Sequence, residues 1–312
     1  MPAIRPWSSA PRAALVSDVI RARLDDAGRC SVIGVYRAAL NARSSIGLLT
    51  LADAAVGPLP NGIMLAEPFD FLAAGFRSGD VLWVTRRVVE APRLGVLFDL
   101  DAAAAWSPRI EARSVELSVR RWGGRSGSVR AAAAAAISRR SGAQTGLGAL
   151  LVSGSTPGAA ARIAAPRLER LAAALRNGDP ASVEEAAGSL IGLGPGLTPS
   201  GDDALVGVAA AAAALGSRET RLLAGVGPAL EARTTLVAAA YLRHAARGEF
   251  SGDLHDLLAA LLGEDGRSVG SAIDRVVGRG ATSGADTLFG VLLGLDALTA
   301  QPAMARPVGV AA

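Results

Sequence analysis

One pattern occurs twice in this chain: Ser200-Gly201-x-Asp203-x-Leu205-x-Gly207 returns, position for position, as Ser283-Gly284-x-Asp286-x-Leu288-x-Gly290. In a helix beginning at each serine, Asp203, Gly207 and Ala211 share one face, as do Asp286, Gly290 and Gly294, because residues four apart lie one above the other. Each helix then carries an acid above a stripe of small residues, and such a stripe lets two backbones approach closely. The spacing predicts that the two helices pack side by side and bring both serine–aspartate starts to one pocket. The same residues also fit a capping box, in which serine and acid each satisfy an amide at their own helix end.

The first copy is preceded by Gly192-Leu193-Gly194-Pro195-Gly196-Leu197-Thr198-Pro199, where three alternating glycines and two prolines dictate a backbone path. Such a loop is entropically costly unless it has a use. It leads straight into the apolar run from Ala204, so Ser200, Gly201 and Asp202 fall where free amides and the positive end of a helix dipole collect. That geometry suits phosphate or a carboxylate. Gly194, Gly196, Thr198, Ser200 and Gly201 are therefore candidate ligand-binding residues, joined by Ser283, Gly284 and Asp286 from the second copy.

The adjacent acids Asp202 and Asp203 could bind one magnesium ion or divide labour between a metal and a proton. Two acids beside an anion would repel it, so a cation or an arginine is needed. Arg233, in Glu231-Ala232-Arg233-Thr234-Thr235, can clasp an oxyanion bidentately, with Thr234 and Thr235 as auxiliary donors. Its alternative is a surface ion pair with Glu231 or Glu219. His244, on the same predicted helix, is a candidate general acid or base whose alternative is a structural role. The catalytic candidates are thus Asp202, Asp203, Arg233 and His244, with Asp202 and Asp203 doubling as the magnesium candidates. His255 and Cys30 read as structural.

Composition removes other chemistries. The 312 residues contain no lysine, so every side-chain positive charge apart from the histidines is arginine, and a Schiff base, a pyridoxal phosphate anchor and a Walker-type loop are all excluded. One cysteine and two histidines cannot form a disulfide or a Cys/His zinc cage. The net charge of +4 is modest, and no aromatic ladder accompanies the arginine patch at 113–140, so nucleic acid is not an expected partner. The apolar run 204–216 is shorter than the roughly 20 residues a bilayer requires. The start of the chain has no signal-peptide core, which leaves a frayed tail before a helix near 15–26, or an arginine-bearing presequence. The expected setting is cytoplasmic.

Residues 30–110 read as strands at 31–39, 46–51, 62–66, 80–89 and 94–100, with Gly57-Pro58-Leu59-Pro60-Asn61-Gly62 as a hairpin or tight reversal. From about Val115 the apolar period becomes helical, at 129–137, 168–175, 183–190 and 254–262. Gly123–Gly127 and Ser153–Gly158 read as loops between helices. The fold class is therefore α+β: a β-rich, mainly antiparallel N-terminal domain over 1–112, then an all-helical bundle over 113–312. Its core should come from closely approaching helices rather than aromatic wedges.

Taken together, the Gly-Leu-Gly-Pro-Gly-Leu-Thr-Pro-Ser-Gly-Asp-Asp segment, Arg233-Thr234-Thr235 and Thr282-Ser283-Gly284-x-Asp286 resemble the AllH-type family, formerly a domain of unknown function. The resemblance is anchored in residues 190–290, and the N-terminal half fits only in outline. It implies a subunit of oxamate carbamoyltransferase, an enzyme of anaerobic allantoin breakdown and hence of purine degradation. That enzyme moves a carbamoyl group between oxalurate and phosphate, yielding oxamate and carbamoyl phosphate. It also implies companion subunits and a small anionic substrate or phosphate as partners. No cofactor beyond magnesium is expected. Two other functions fit the residues: a non-catalytic scaffold or regulatory subunit binding a nucleotide or metabolite, and a magnesium-dependent hydrolase.

Overall fold

The computed structural model describes residues 11–140, 145–217, 230–263 and 267–300, and the chain forms two compact units, Met1–Pro108 and Arg109–Ala312. The first unit is a nine-stranded sheet with the order β8-β7-β6-β2-β3-β4-β5-β1-β9. Its strands are β1 (Ala13–Ser17), β2 (Gly28–Val35), β3 (Ala39–Ser44), β4 (Gly47–Ala52), β5 (Gly62–Leu65), β6 (Val81–Val84), β7 (Val88–Ala91), β8 (Val96–Asp99) and β9 (Ala104–Trp106). All neighbours run antiparallel except β4 with β5 and β1 with β9. The sheet curls until Arg12, leading into β1, bridges to Asp99 at the end of β8.

Alternation places Cys30 and Val32 of β2, and Val96 and Phe98 of β8, in the core, while Arg29 and Leu97 face out. Four phenylalanines, Phe69, Phe71, Phe76 and Phe98, fill that core edge to face or tilted, with centroids 4.8 to 6.3 Å apart. The expectation of a core without aromatic wedges therefore fails in this unit. Burial pushes the Cys30 thiol up to about 11, which leaves it a packing residue.

Three expectations here need correction. The helix expected near 15–26 is β1 followed by two single-turn helices, α1 (Asp18–Arg21) and α2 (Leu24–Ala27), because Val16 pairs with Ile63 in the sheet. The run 80–89 is two strands split by a turn at Thr85–Arg87. Gly57–Gly62 is a connection between parallel strands, not a hairpin: Gly57 takes a φ of +78°, but Asn61 does not turn left-handed. Asn61 instead points inward and donates to Thr50, which donates to Asn41.

The second unit is helical: α3 (Val115–Ser138), a 3-10 turn at Leu147–Leu151, α4 (Ala159–Asn177), α5 (Pro180–Gly188), α6 (Ser200–Ala214), α7 (Leu230–Arg233), α8 (Leu236–Ala246), α9 (Gly252–Leu262), α10 (Val269–Val277) and α11 (Ser283–Thr299). Gly123–Gly127 lies inside α3 and is not a loop, since none of its glycines needs a positive φ. Ser153–Gly158 is a connection, with Gly154 at a φ of +75°.

Helix α6 is the centre of this unit and is buried at almost every position from Ser200 to Leu215. Alanine suits it: the residue favours helix and leaves room for neighbours on every side. Among the described residues no helix is long and apolar enough to cross a membrane.

Candidate functional site

Helices α6 and α11 lie against each other over the small residues that the repeat contributes. A Cβ on Gly290 would stand 2.0 Å from the Ala204 carbonyl oxygen, and one on Gly207 would stand 2.1 Å from that of Thr287. Gly294 meets Val208 and Ala211. Contacts therefore advance in the same direction along both helices, so their N-termini share one end.

That end carries a crossed arrangement. Ser200 and Ser283 are each the first residue of their helix, and neither helix has a side-chain cap. The capping-box reading is thus corrected: the Ser200 hydroxyl lies close enough to Asp286 of the other helix to pull its pKa down, and the Ser283 hydroxyl does the same to Asp203. Thr198, from the glycine loop, also reaches Asp203 and lies 2.6 Å from the Ser283 hydroxyl. Asp286 is covered by the backbone of a segment the sequence did not single out, with Gly148 N donating to Oδ1 at 3.0 Å. Gly146 is pressed so close that a Cβ there would sit 2.3 Å from that oxygen. The faint signal for this segment was Gly146-Leu147-Gly148, which echoes Gly192-Leu193-Gly194.

Burial is the main force on all three acids. It raises the Asp203 pKa well above the ordinary carboxylate range, and the nearby Asp286 charge adds to the rise. Asp286 is also raised by burial, against hydrogen bonds from Ser200, Gly148, Leu147 and Thr282. Among the described residues, Oδ2 of Asp203 and Oδ2 of Asp286 have no hydrogen-bond partner.

Asp202 points elsewhere, since successive helical residues are turned by about 100°. Its Oδ1 accepts from Gly192 N at 3.0 Å and its Oδ2 from Thr234 Oγ1 at 2.5 Å. Burial raises its pKa, and those two bonds and the Arg233 charge pull the other way. Asp202 is a clasp that holds the loop and the Arg233–Thr235 turn onto α6. Both of its carboxylate oxygens are thereby engaged by the chain itself. Among the described residues, no three His, Cys, Asp or Glu side chains are placed to hold a metal.

The loop follows its glycines. Gly192, Gly194 and Gly196 have φ of +75°, +119° and +101°, all in the region glycine favours. Of the amides expected to form an open cradle at Ser200–Asp202, those of Gly201 and Asp202 are used within the chain. Gly201 N donates to Leu193 O at 2.8 Å, and Asp202 N and Asp203 N donate to Pro199 O at 2.9 and 3.1 Å. Gly201 and Gly284 are packing glycines, whose Cβ would stand 2.1 Å from Leu190 O and 1.8 Å from Val276 O. Gly284 N is likewise taken, by Arg279 O at 3.1 Å.

Arg233 is exposed and donates to Gly188 O rather than pairing with Glu231, which binds Arg243 at 2.8 Å; Glu219 lies outside the described residues. Thr235 caps α8 through Ala238 N and donates to Leu197 O at 2.5 Å, strapping the loop down. His244 sits at the far end of α8, about 13 Å along the axis from Thr235. There its Nδ1 lies 2.7 Å from Oε2 of buried Glu249, which also binds Arg247 at 3.0 Å. His244 is therefore no part of the cluster.

The crossed serines and acids join elements that the AllH-type resemblance drew from separate places in the sequence. Residues 190–295 match the family model of oxamate carbamoyltransferase subunit AllH. The AllH match begins at Leu190, the residue whose carbonyl presses on Gly201, and it covers α6, α7, α8, α9 and α10 and α11 as far as Leu295. The glycine loop, the Arg233–Thr235 turn and both serine–aspartate starts all fall within it. The 3-10 turn that covers Asp286 falls outside. No solved structure matches the chain.

Proposed function

We propose that this chain is a subunit of a carbamoyltransferase acting on oxalurate and phosphate, and that Asp203 acts in it as a neutral acid. The observation that carries this reading is the Asp203 carboxyl itself, buried beside Asp286 with Oδ2 unpartnered, under the half-buried hydroxyls of Thr198 and Ser283. A neutral carboxyl does not repel an anion. It can donate a hydrogen bond, and its proton is available to a leaving group.

In the transfer, a phosphate oxygen bonds to the carbamoyl carbon of oxalurate and the bond from that carbon to the oxamate nitrogen breaks. Asp203 gives its proton to the nitrogen as it leaves. The hydrogen carried by phosphate then returns to Asp203, so carbamoyl phosphate and oxamate form with no net change in the acid. With Asp203 protonated and itself a donor, the Thr198 and Ser283 hydroxyls turn to the substrate anions in place of helix amides. Companion subunits supply the rest of the site.

The test is oxalurate- and phosphate-dependent formation of carbamoyl phosphate by the chain assembled with its companion subunits. Asp203→Asn is expected to lower kcat by about 100- to 10,000-fold without dissolving the complex. Unchanged turnover would overturn the reading. A second reading, a scaffold subunit, is favoured by the internal use of the Gly201, Asp202 and Asp203 amides. It expects Asp203→Asn to act on assembly alone.

A further inference from the structure

One row of side chains crosses four strands on the outer face of the sheet in the first unit. Arg29 on β2 stands opposite Trp83 on β6, Trp83 opposite Glu90 on β7, and Glu90 opposite Leu97 on β8. All four are exposed, Trp83 at 48% and Leu97 at 43%. Ile33 on β2 adds another exposed apolar side chain. An indole left in water forgoes much of the burial that tryptophan offers, and tryptophan is enriched at interfaces for that reason. Neighbouring strands lie about 4.8 Å apart, so Arg29 and Glu90 flank the indole one strand to either side. Among the described residues neither has an ion-pair partner.

We infer that this row is the seam of a homodimer, in which a second copy of the chain docks on it face to face. The row is self-complementary. A twofold axis lying along β6 at Trp83 sets the indole against its own copy, Arg29 against the partner's Glu90, and Glu90 against the partner's Arg29. Any other partner would need to supply matching charges about an apolar centre, whereas a second copy carries them by construction. Aligned face-to-face packing is usual for two sheets, and closed twofold pairs are the commonest assemblies. The outer face of a curled sheet touches its copy along only a few strands, so the dimer is weak, with a Kd on the order of 10 μM. The row lies in the first unit, outside residues 190–295, and uses nothing of the carboxyl cluster.

Analytical ultracentrifugation of the full chain from about 1 to 200 μM tests this. A monomer–dimer equilibrium is expected, weakened about tenfold or more by Trp83→Ser with the fold intact by circular dichroism. Arg29→Glu and Glu90→Arg should each weaken it similarly, because each sets like charges against each other across the axis. Mixing those two variants should restore the dimer, since both crossed pairs are then of opposite charge. A monomeric chain, a dimer indifferent to Trp83→Ser, or a mixture no more dimeric than its components would overturn the proposal. A monomeric chain whose assembly with companion subunits is lost in Trp83→Ser would give the face to that partner, and overturns it equally.

Discussion

The hydroxyl of Thr198, just ahead of α6, lies 2.6 Å from that of Ser283 on α11, and across the same junction Ser283 lowers the pKa of Asp203 while Ser200 lowers that of Asp286. Two separate capping boxes would each have kept serine and acid on one helix. The exchange ties the two helix starts together in a region where burial favours the neutral carboxyl.

The glycine seam beneath this exchange is expected to be intolerant of a single methyl. Gly290→Ala should cost about 1–3 kcal/mol or more, since the new Cβ meets backbone that cannot swing aside. Gly123→Ala in α3 has nothing within 4 Å of the new methyl and should stabilise by about 0.4–1 kcal/mol. Thermal melts of the two variants check this pair, and equal shifts would contradict the seam.

Thr234→Val should leave Asp202 Oδ2 without its hydroxyl donor, at a cost of about 1–3 kcal/mol. Loosening of the 192–199 loop should accompany the loss. Limited proteolysis is the readout, with cleavage in that loop rising relative to the rest of the chain.

Asp203 and Asp286 have folded-state pKa values above their unfolded value of 3.8. The folded chain therefore holds more protons than the unfolded chain at these groups. Their contribution to stability is complete below the unfolded value and is lost as pH rises through the folded one. Asp203→Asn removes one such group, so the stability of the wild type relative to the variant should fall as pH rises above about 4. Urea denaturation across that range gives the slope.

Glu249 has the opposite sign. Burial raises its pKa, but the bonds from His244 and Arg247 outweigh that and hold it below 4.5. Its contribution is present above the unfolded value and is lost as pH falls through the folded one. Glu249→Gln should therefore destabilise the chain more at neutral pH than in acid. His244→Ala should leave carbamoyl transfer unchanged in the assembled enzyme, and a loss of turnover with assembly intact would return His244 to the site.

The repeat was the most legible part of the sequence because close helix packing is written in periodic small residues, and Gly207, Gly290 and Gly294 lie at the contact. The positive φ at Gly192, Gly194 and Gly196 was legible for a similar local reason. What could not be read is where each hydroxyl and amide finds its partner. Ser200 fits its own helix as a cap equally well, and its engagement of Asp286 is set by a residue 86 positions away. The cover that Gly146 and Gly148 place over Asp286 is likewise long-range. At the other end of the chain, the apolar pattern near β1 suited a helix until a sheet partner at Ile63 decided it.

The role proposed for Asp203 requires it to hold its proton where the enzyme works, and burial and the Asp286 charge push its pKa in that direction. Infrared difference spectroscopy between the wild type and Asp203→Asn, at neutral pH in both light and heavy water, measures this directly. The account expects a protonated carboxyl stretch in the wild type, shifted by deuterium and absent from the variant. A difference spectrum showing only an ionised carboxylate for Asp203 would contradict it.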